Sequence, residues 1–190
     1  IVEGIGDIIT KINLKEEGSK NLGASNTLAL MGKKAGLAVL VHDVLKSFFV
    51  ILIIRLCLKV PYNQVGWLMA AGGIFAVVGH IFPFYLKFKG GKGFATYIGV
   101  VMGLDWRLFL GIVVLIVVAA FITDYIVAGT FSTITVAPVY FLFRQEWLVA
   151  AVLLAGSLLI LYKHRENIVS IKNGKEMKVR SAFANKYKRS

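Results

Sequence analysis

Six apolar runs organise this chain, covering residues 35–58, 65–86, 94–104, 108–123, 126–143 and 147–162, with polar or glycine-rich stretches between them. A helix that crosses a bilayer needs roughly 20 such residues. Five runs approach that length; the run at 94–104 reaches it only by extending through the preceding glycine-rich stretch, tilting or re-entering. The pattern predicts an all-α, polytopic membrane helix bundle of about six spans. Residues 1–162 would form the bundle with its connecting loops, and residues 163–190 a basic tail. There is no internal repeat and no low-complexity linker.

Composition agrees with lipid as the main solvent: 57% of the 190 residues are hydrophobic and 17% charged, well outside the usual range for a soluble domain. Charge then orients the spans. Five Lys/Arg precede residue 35, three lie at 87–92 and nine follow 162, whereas Lys59, Arg107 and Arg144 would face the other side. By the positive-inside rule the first group is cytoplasmic, which makes neighbours of residues 18–34, 80–93 and 163–176. The net charge of +12 is accounted for by this topology and by anionic lipid headgroups, so it does not indicate nucleic acid. Phe183 and Tyr187, set among the basic residues of the tail, fit a headgroup-layer anchor better than a base-stacking platform. Cys57, the only cysteine, leaves no internal disulfide and no cysteine-based metal site. No basic-then-apolar leader opens the chain.

The candidate chemistry lies on the predicted cytoplasmic side. His80-Ile81-Phe82-Pro83 leads into Lys87-Phe88-Lys89-Gly90-Gly91-Lys92-Gly93, where glycines would let successive N–H groups converge on an anion and lysines would surround it with charge. The loop lacks the Gly-x-x-x-x-Gly-Lys-Ser/Thr spacing of a Walker A loop. Gly18-Ser19-Lys20-Asn21 and Asn26 supply side-chain donors, and His164 and Asn167 fall on one face of a helix. Inside the first run, Asp43 and Lys46 are three apart and able to pair, which offsets the cost of charge in a membrane. Their pairing would fix helix packing or support the phosphate loop. Three histidines (His42, His80, His164), without His-x-x-x-His or clustered carboxylates, argue against a metal centre. Gly-x-Ser-x-Gly is absent. So is His-x-x-x-x-Asp, since Ser47, Tyr85 and Val169 occupy the positions where that Asp would stand.

Taken together, these stretches resemble the PlsY family of acyl-phosphate:glycerol-3-phosphate acyltransferases. Gly18–Asn26, Gly32–Gly36 and Asp43 with Lys46 match its first motif; Gly79–Pro83 and Phe88–Gly93 match the second; His164–Ile168 and Gly174–Glu176 match the third. The resemblance implies a seven-helix fold in a bacterial inner membrane, with one span upstream of the first motif. It also implies acyl transfer from acyl phosphate to glycerol 3-phosphate without cofactor, metal or acyl-enzyme, in phospholipid synthesis. By the same resemblance Ser19, His164 and Asn167 are catalytic. Lys20, Asn21, Asn26, Lys89, Gly90, Gly91, Lys92 and Gly93 bind substrate, and Asp43, Lys46, His80 and Glu176 are structural. Two positions depart from the family, where arginines stand: here they are Ala29 and Asp124. A guanidinium binds phosphate in a bidentate way that lysine copies only in part, and Lys20 is expected to restore some of the lost charge. Other readings are a divergent paralog with another acceptor or no activity, and an organic-phosphate transporter.

Overall fold

The computed structural model describes residues 14, 16–19, 21–59 and 61–180. Its helices are α1 (Ala24–Met31), α2 (Lys33–Leu58), α3 (Tyr62–Ile81), α4 (Phe94–Leu104), α5 (Trp106–Thr123), α6 (Ile126–Phe143), α7 (Trp147–Lys163) and α8 (Arg165–Lys172), with a 3₁₀ turn at Phe84–Leu86. Four helical stretches among the described residues are long and apolar enough to cross a membrane: Lys33–Leu58, Gln64–Leu86, Trp106–Thr123 and Ile126–Phe143. A fifth arises if α7 and α8, bent by 49°, count as one broken span. The sixth expected segment is α4, a helix of 11 residues, about 16 Å long and half the thickness of a hydrocarbon core. Lys20, the tail aromatics Phe183 and Tyr187, and the place of the expected upstream span lie outside the described residues.

Burial explains how so short a helix belongs in a membrane protein. Every residue from Thr96 to Val101 is buried, because α4 is packed between α2, α3 and the later helices and its backbone meets protein instead of lipid. Gly99 is pressed so close to α2 that a Cβ there would stand 2.0 Å from the Val44 carbonyl oxygen. Beside it Ser47 Oγ donates to Thr96 O at 2.6 Å. On the far side of α4, the Tyr97 hydroxyl is 2.9 Å from Ser157 Oγ on α7. Ile51, Met69, Val77, Ile134, Leu153 and Ile160 complete the core around it.

Successive helices reverse direction, which puts the ends at Lys33, Ile81, Gly93, Thr123, Ile126 and Lys163 on one side. The opposite end is closed by its own polar network. Asp105 caps α5 by accepting from the amides of Arg107 and Leu108, and its other oxygen accepts from the Tyr140 hydroxyl at 2.7 Å and from Arg144 at 3.2 Å. Arg144 also pairs with Glu146 at 3.0 Å. At about 39 Å for its 26 residues, α2 is longer than a ~30 Å core. Contacts from Asp43 and Lys46 to His80 bring those charges level with the end of α3 on the motif-bearing side.

Candidate functional site

The loop after α3 is glycine-rich for a different reason from the expected one. Gly90 N–H donates to Ile81 O at 3.1 Å and Gly91 N–H to His80 O at 3.2 Å, so both amides satisfy carbonyls at the C-terminus of α3. The loop lies flat on that helix end. A Cβ at Gly90 would stand 2.0 Å from His80 O, and one at Gly91 would stand 2.1 Å from His80 Nε2. These glycines therefore permit docking, and their N–H groups do not converge on a bound anion. Gly93 does adopt a glycine conformation, φ +87°, as the N-cap of α4. The donors left for an anion are the first-turn amides of α4 together with Lys92. Lys92 is half-buried while Lys87 and Lys89 are exposed, which separates three lysines that look equivalent in sequence.

Lys92 joins the second motif to the third. Its Nζ donates to Asn167 Oδ1, and Asn167 Nδ2 donates to Glu176 Oε1 at 2.7 Å. A charged lysine only donates and an ionised carboxylate only accepts, so these two partners fix which way the Asn167 amide faces. Burial holds the Lys92 ammonium below the ordinary lysine range; Glu166 and Glu176 pull in the opposite direction, and Lys163 and Arg165 add to the depression. His164, buried at the bend between α7 and α8, has Nδ1 2.9 Å from Ile160 O. Because a carbonyl only accepts, Nδ1 carries the proton and Nε2 presents a lone pair.

The first motif is shaped by Asn26. Its Oδ1 accepts from Ser19 N–H at 2.9 Å, and its Nδ2 donates to Leu14 O and Glu17 O, both at 3.2 Å. The Asn26 amide is thus committed to the turn that carries Ser19. Gly18, at φ +60°, lies where a Cβ would stand 2.3 Å from Asn26 Oδ1. Ser19 is exposed and Asn21 half-buried. Among the described residues no hydrogen bond joins Ser19 to Lys92 or Asn167; the Ser19 turn is tied through Asn26 to α1, which packs on the first turns of α2 where Gly36 meets Leu28.

Asp43 and Lys46 pair as expected, at 2.6 Å. Lys46 Nζ is also 2.6 Å from His80 Nδ1, so the cluster ties α2 to the histidine under Gly91. Being a donor, Lys46 makes Nδ1 the acceptor and leaves the His80 proton on Nε2. His42, half-exposed and 3.8 Å from Asp43, lines with Asp43, Lys46, His80, Gly79 and Gly90 a cavity of about 170 Å³ between α2 and α3. Ala29 is exposed on α1. Asp124 terminates α5 in the left-handed conformation and binds the chain beyond the third motif: its carbonyl accepts from Val179 N–H at 2.8 Å and its carboxylate from Arg180 N–H at 3.0 Å. Residues 178–180 did not stand out in the sequence. The one signal there was the Thr-Asp-Tyr break between two apolar runs, a place suited to a left-handed turn with spare acceptors.

Comparison with known proteins fits this arrangement. A family model described as glycerol-3-phosphate acyltransferase matches residues 4–174. A glycerol-3-phosphate acyltransferase of Bartonella henselae is 36% identical over 179 residues, spanning 92% of this chain and 84% of that protein. One from Listeria monocytogenes is 33% identical over 176 residues, spanning 93% and 87%. Among solved structures, the crystal structure of PlsY, an integral membrane glycerol 3-phosphate acyltransferase, in its glycerol 3-phosphate form superposes with a TM-score of 0.83. The identity there is 28%, over 97% of this chain and 93% of that one. Its lysophosphatidic acid form gives 0.82.

Proposed function

Because the chain belongs to the glycerol-3-phosphate acyltransferase family, we propose that it moves a fatty acyl group from an acyl phosphate to the 1-hydroxyl of glycerol 3-phosphate. The products would be lysophosphatidic acid and inorganic phosphate, for phospholipid synthesis on the cytoplasmic face of a bacterial inner membrane. The observation that carries this reading is the Lys92–Asn167–Glu176 relay, which joins the second and third motifs at the N-terminus of α4.

The chemistry asks little of the protein beyond placement and charge. Acyl phosphate is already activated, so the work lies in holding two phosphorylated molecules together and stabilising the charge that develops. Lys92 and the first-turn amides of α4 would take the phosphate of glycerol 3-phosphate, with Asn21, Lys89 and Gly93 contributing to the pocket and Lys20, by its place in the first motif, adding charge. Gly90, Gly91 and Asn26 would serve by shaping the loops, and Ser19 would offer its hydroxyl to substrate. The 1-hydroxyl oxygen attacks the acyl carbonyl carbon, whose π pair moves to the carbonyl oxygen. That pair returns as the C–O bond to phosphate breaks, and the leaving phosphate departs with the bond electrons. The hydroxyl proton passes to a phosphate oxygen or to Nε2 of His164.

The test is release of phosphate from acyl phosphate by purified protein in lipid, with and without glycerol 3-phosphate. Release should depend on the acceptor, and Lys92→Ala should lower kcat/KM on the order of 100-fold, as expected for loss of a charge-assisted contact that also leaves Asn167 Oδ1 without its donor. No release, or release indifferent to glycerol 3-phosphate, would overturn the proposal. Glycerol 3-phosphate uptake into sealed vesicles without phosphate release would favour a transporter.

A further inference from the structure

Glu176, which orients Asn167, lies on a short strap of chain anchored at both ends. Upstream, the chain leaves α8 through Gly174 at φ +64°, and the amides of Lys175 and Glu176 both donate to Ser170 O, at 2.8 and 3.2 Å. Downstream, the anchor is the turn between α5 and α6. Tyr125 and Lys178 form an antiparallel bridge, the Asp124 carbonyl accepts from Val179 N–H, and the Asp124 carboxylate accepts from Arg180 N–H. Arg180 Nε stands 4.0 Å from the same carboxylate, an exposed pairing that adds little.

We propose that Asp124 is a positioning residue: by pinning residues 178–180 to the α5–α6 turn it keeps Glu176 on Asn167, and thereby keeps the Asn167 acceptor aimed at Lys92. Asn167 is held between two partners, Lys92 on its oxygen and Glu176 on its nitrogen. Once Glu176 leaves, only Lys92 still selects the amide's orientation, and the side chain is free to carry its oxygen off the ammonium. A residue that touches neither substrate would then set how firmly the phosphate-binding lysine is held. This rests on the function proposed above, through the role given to Lys92.

The experiment compares Asp124→Ala, Asp124→Asn and Glu176→Ala, singly and combined, in the full protein reconstituted in lipid. Asp124→Asn keeps an oxygen for Arg180 N–H and should stay within about twofold of the parent, whereas Asp124→Ala should raise KM for glycerol 3-phosphate about tenfold with a smaller change in kcat. Adding Asp124→Ala to Glu176→Ala should change nothing further, because both act through one contact. Additive losses, or an Asp124→Asn variant as impaired as Asp124→Ala, would overturn the proposal. Amide hydrogen exchange supplies a readout independent of catalysis: Asp124→Ala should speed exchange at 175–180 and leave α6 and α7 unchanged. Unchanged exchange at the strap would overturn it too. Should the parent protein transfer no acyl group, the function fails and the strap is judged on exchange alone. If Asp124→Ala does not fold, Arg180→Pro deletes the same hydrogen bond from the strap side and is held to the same outcomes.

Discussion

Lys92 makes the plainest prediction at the scale of a single residue. Its ammonium is held below the ordinary lysine range mainly by burial, so in the unliganded protein it gives up its proton at lower pH than an exposed lysine. A phosphate dianion beside it favours the charged form. At alkaline pH, between the depressed value and the ordinary one, binding of glycerol 3-phosphate should therefore take up a proton. The ligand is already fully dianionic there and releases none. Calorimetric titration in two buffers of different ionisation enthalpy should show this uptake, and Lys92→Ala should abolish it; uptake that persists in the variant would place the titrating group elsewhere. How far such detail was legible beforehand differs from residue to residue. Asp43 and Lys46 were readable as a pair because three residues on a helix is a fixed geometry. Gly90 and Gly91 were readable as necessary glycines but not for the right reason: Gly-Gly-Lys-Gly reads the same whether its amides meet an anion or the carbonyls of α3. Only the tertiary position of His80 decides between the two.

At the scale of elements, the length of α4 is the feature that sequence left open and packing explains. Hydropathy counts apolar residues but does not say whether lipid or protein covers them, so an 11-residue run reads as a defective span. The structure makes it the buried strut that carries Lys92 and Gly93 at its N-terminus. The close approach of α4 to α2 is what makes that possible, and Gly99 permits it. Gly99→Val would place a Cβ 2.0 Å from the Val44 carbonyl oxygen and 2.3 Å from Ser47 Oγ. Because the first of these is backbone, relief requires the helices to part. Overpacking of this kind costs about 1–3 kcal/mol or more. Gly99→Val should lower the thermal unfolding temperature in detergent and, by shifting the start of α4, weaken glycerol 3-phosphate binding as well. The control is Gly111→Val on α5, where a Cβ would meet nothing within 4 Å, and it should leave both measurements near the parent values. A Gly99→Val protein as stable as the Gly111→Val one would mean that the α2–α4 contact does not set the position of the site.

For the whole molecule, polarity is divided between two ends and that division bears on function. The interior carries hydroxyls such as Ser47, Thr96, Thr130, Thr133 and Ser157, with the Asp43–Lys46–His80 cluster displaced toward the motif-bearing end. A path for organic phosphate across the bundle would need cationic groups along its length; among the described residues Lys46, paired with Asp43, is the cation found midway along a helix. The Lys/Arg bias predicts that the motif-bearing end faces the cytoplasm, and the alternation of helices makes that expectation testable with one experiment. In a Cys57→Ala background, Lys87→Cys and Lys175→Cys place a thiol on the motif-bearing side, while Arg107→Cys places one at the end closed by Asp105 and Arg144. All three positions are exposed. With the motifs cytoplasmic, a membrane-impermeant maleimide applied to intact cells or spheroplasts should label only Arg107→Cys, and permeabilisation should add the other two. The opposite pattern would put Lys92 on the outer face and overturn the proposed cytoplasmic site. Labelling of Lys87→Cys and Lys175→Cys from different sides would break the convergence of the second and third motifs on which the Lys92–Asn167 contact depends.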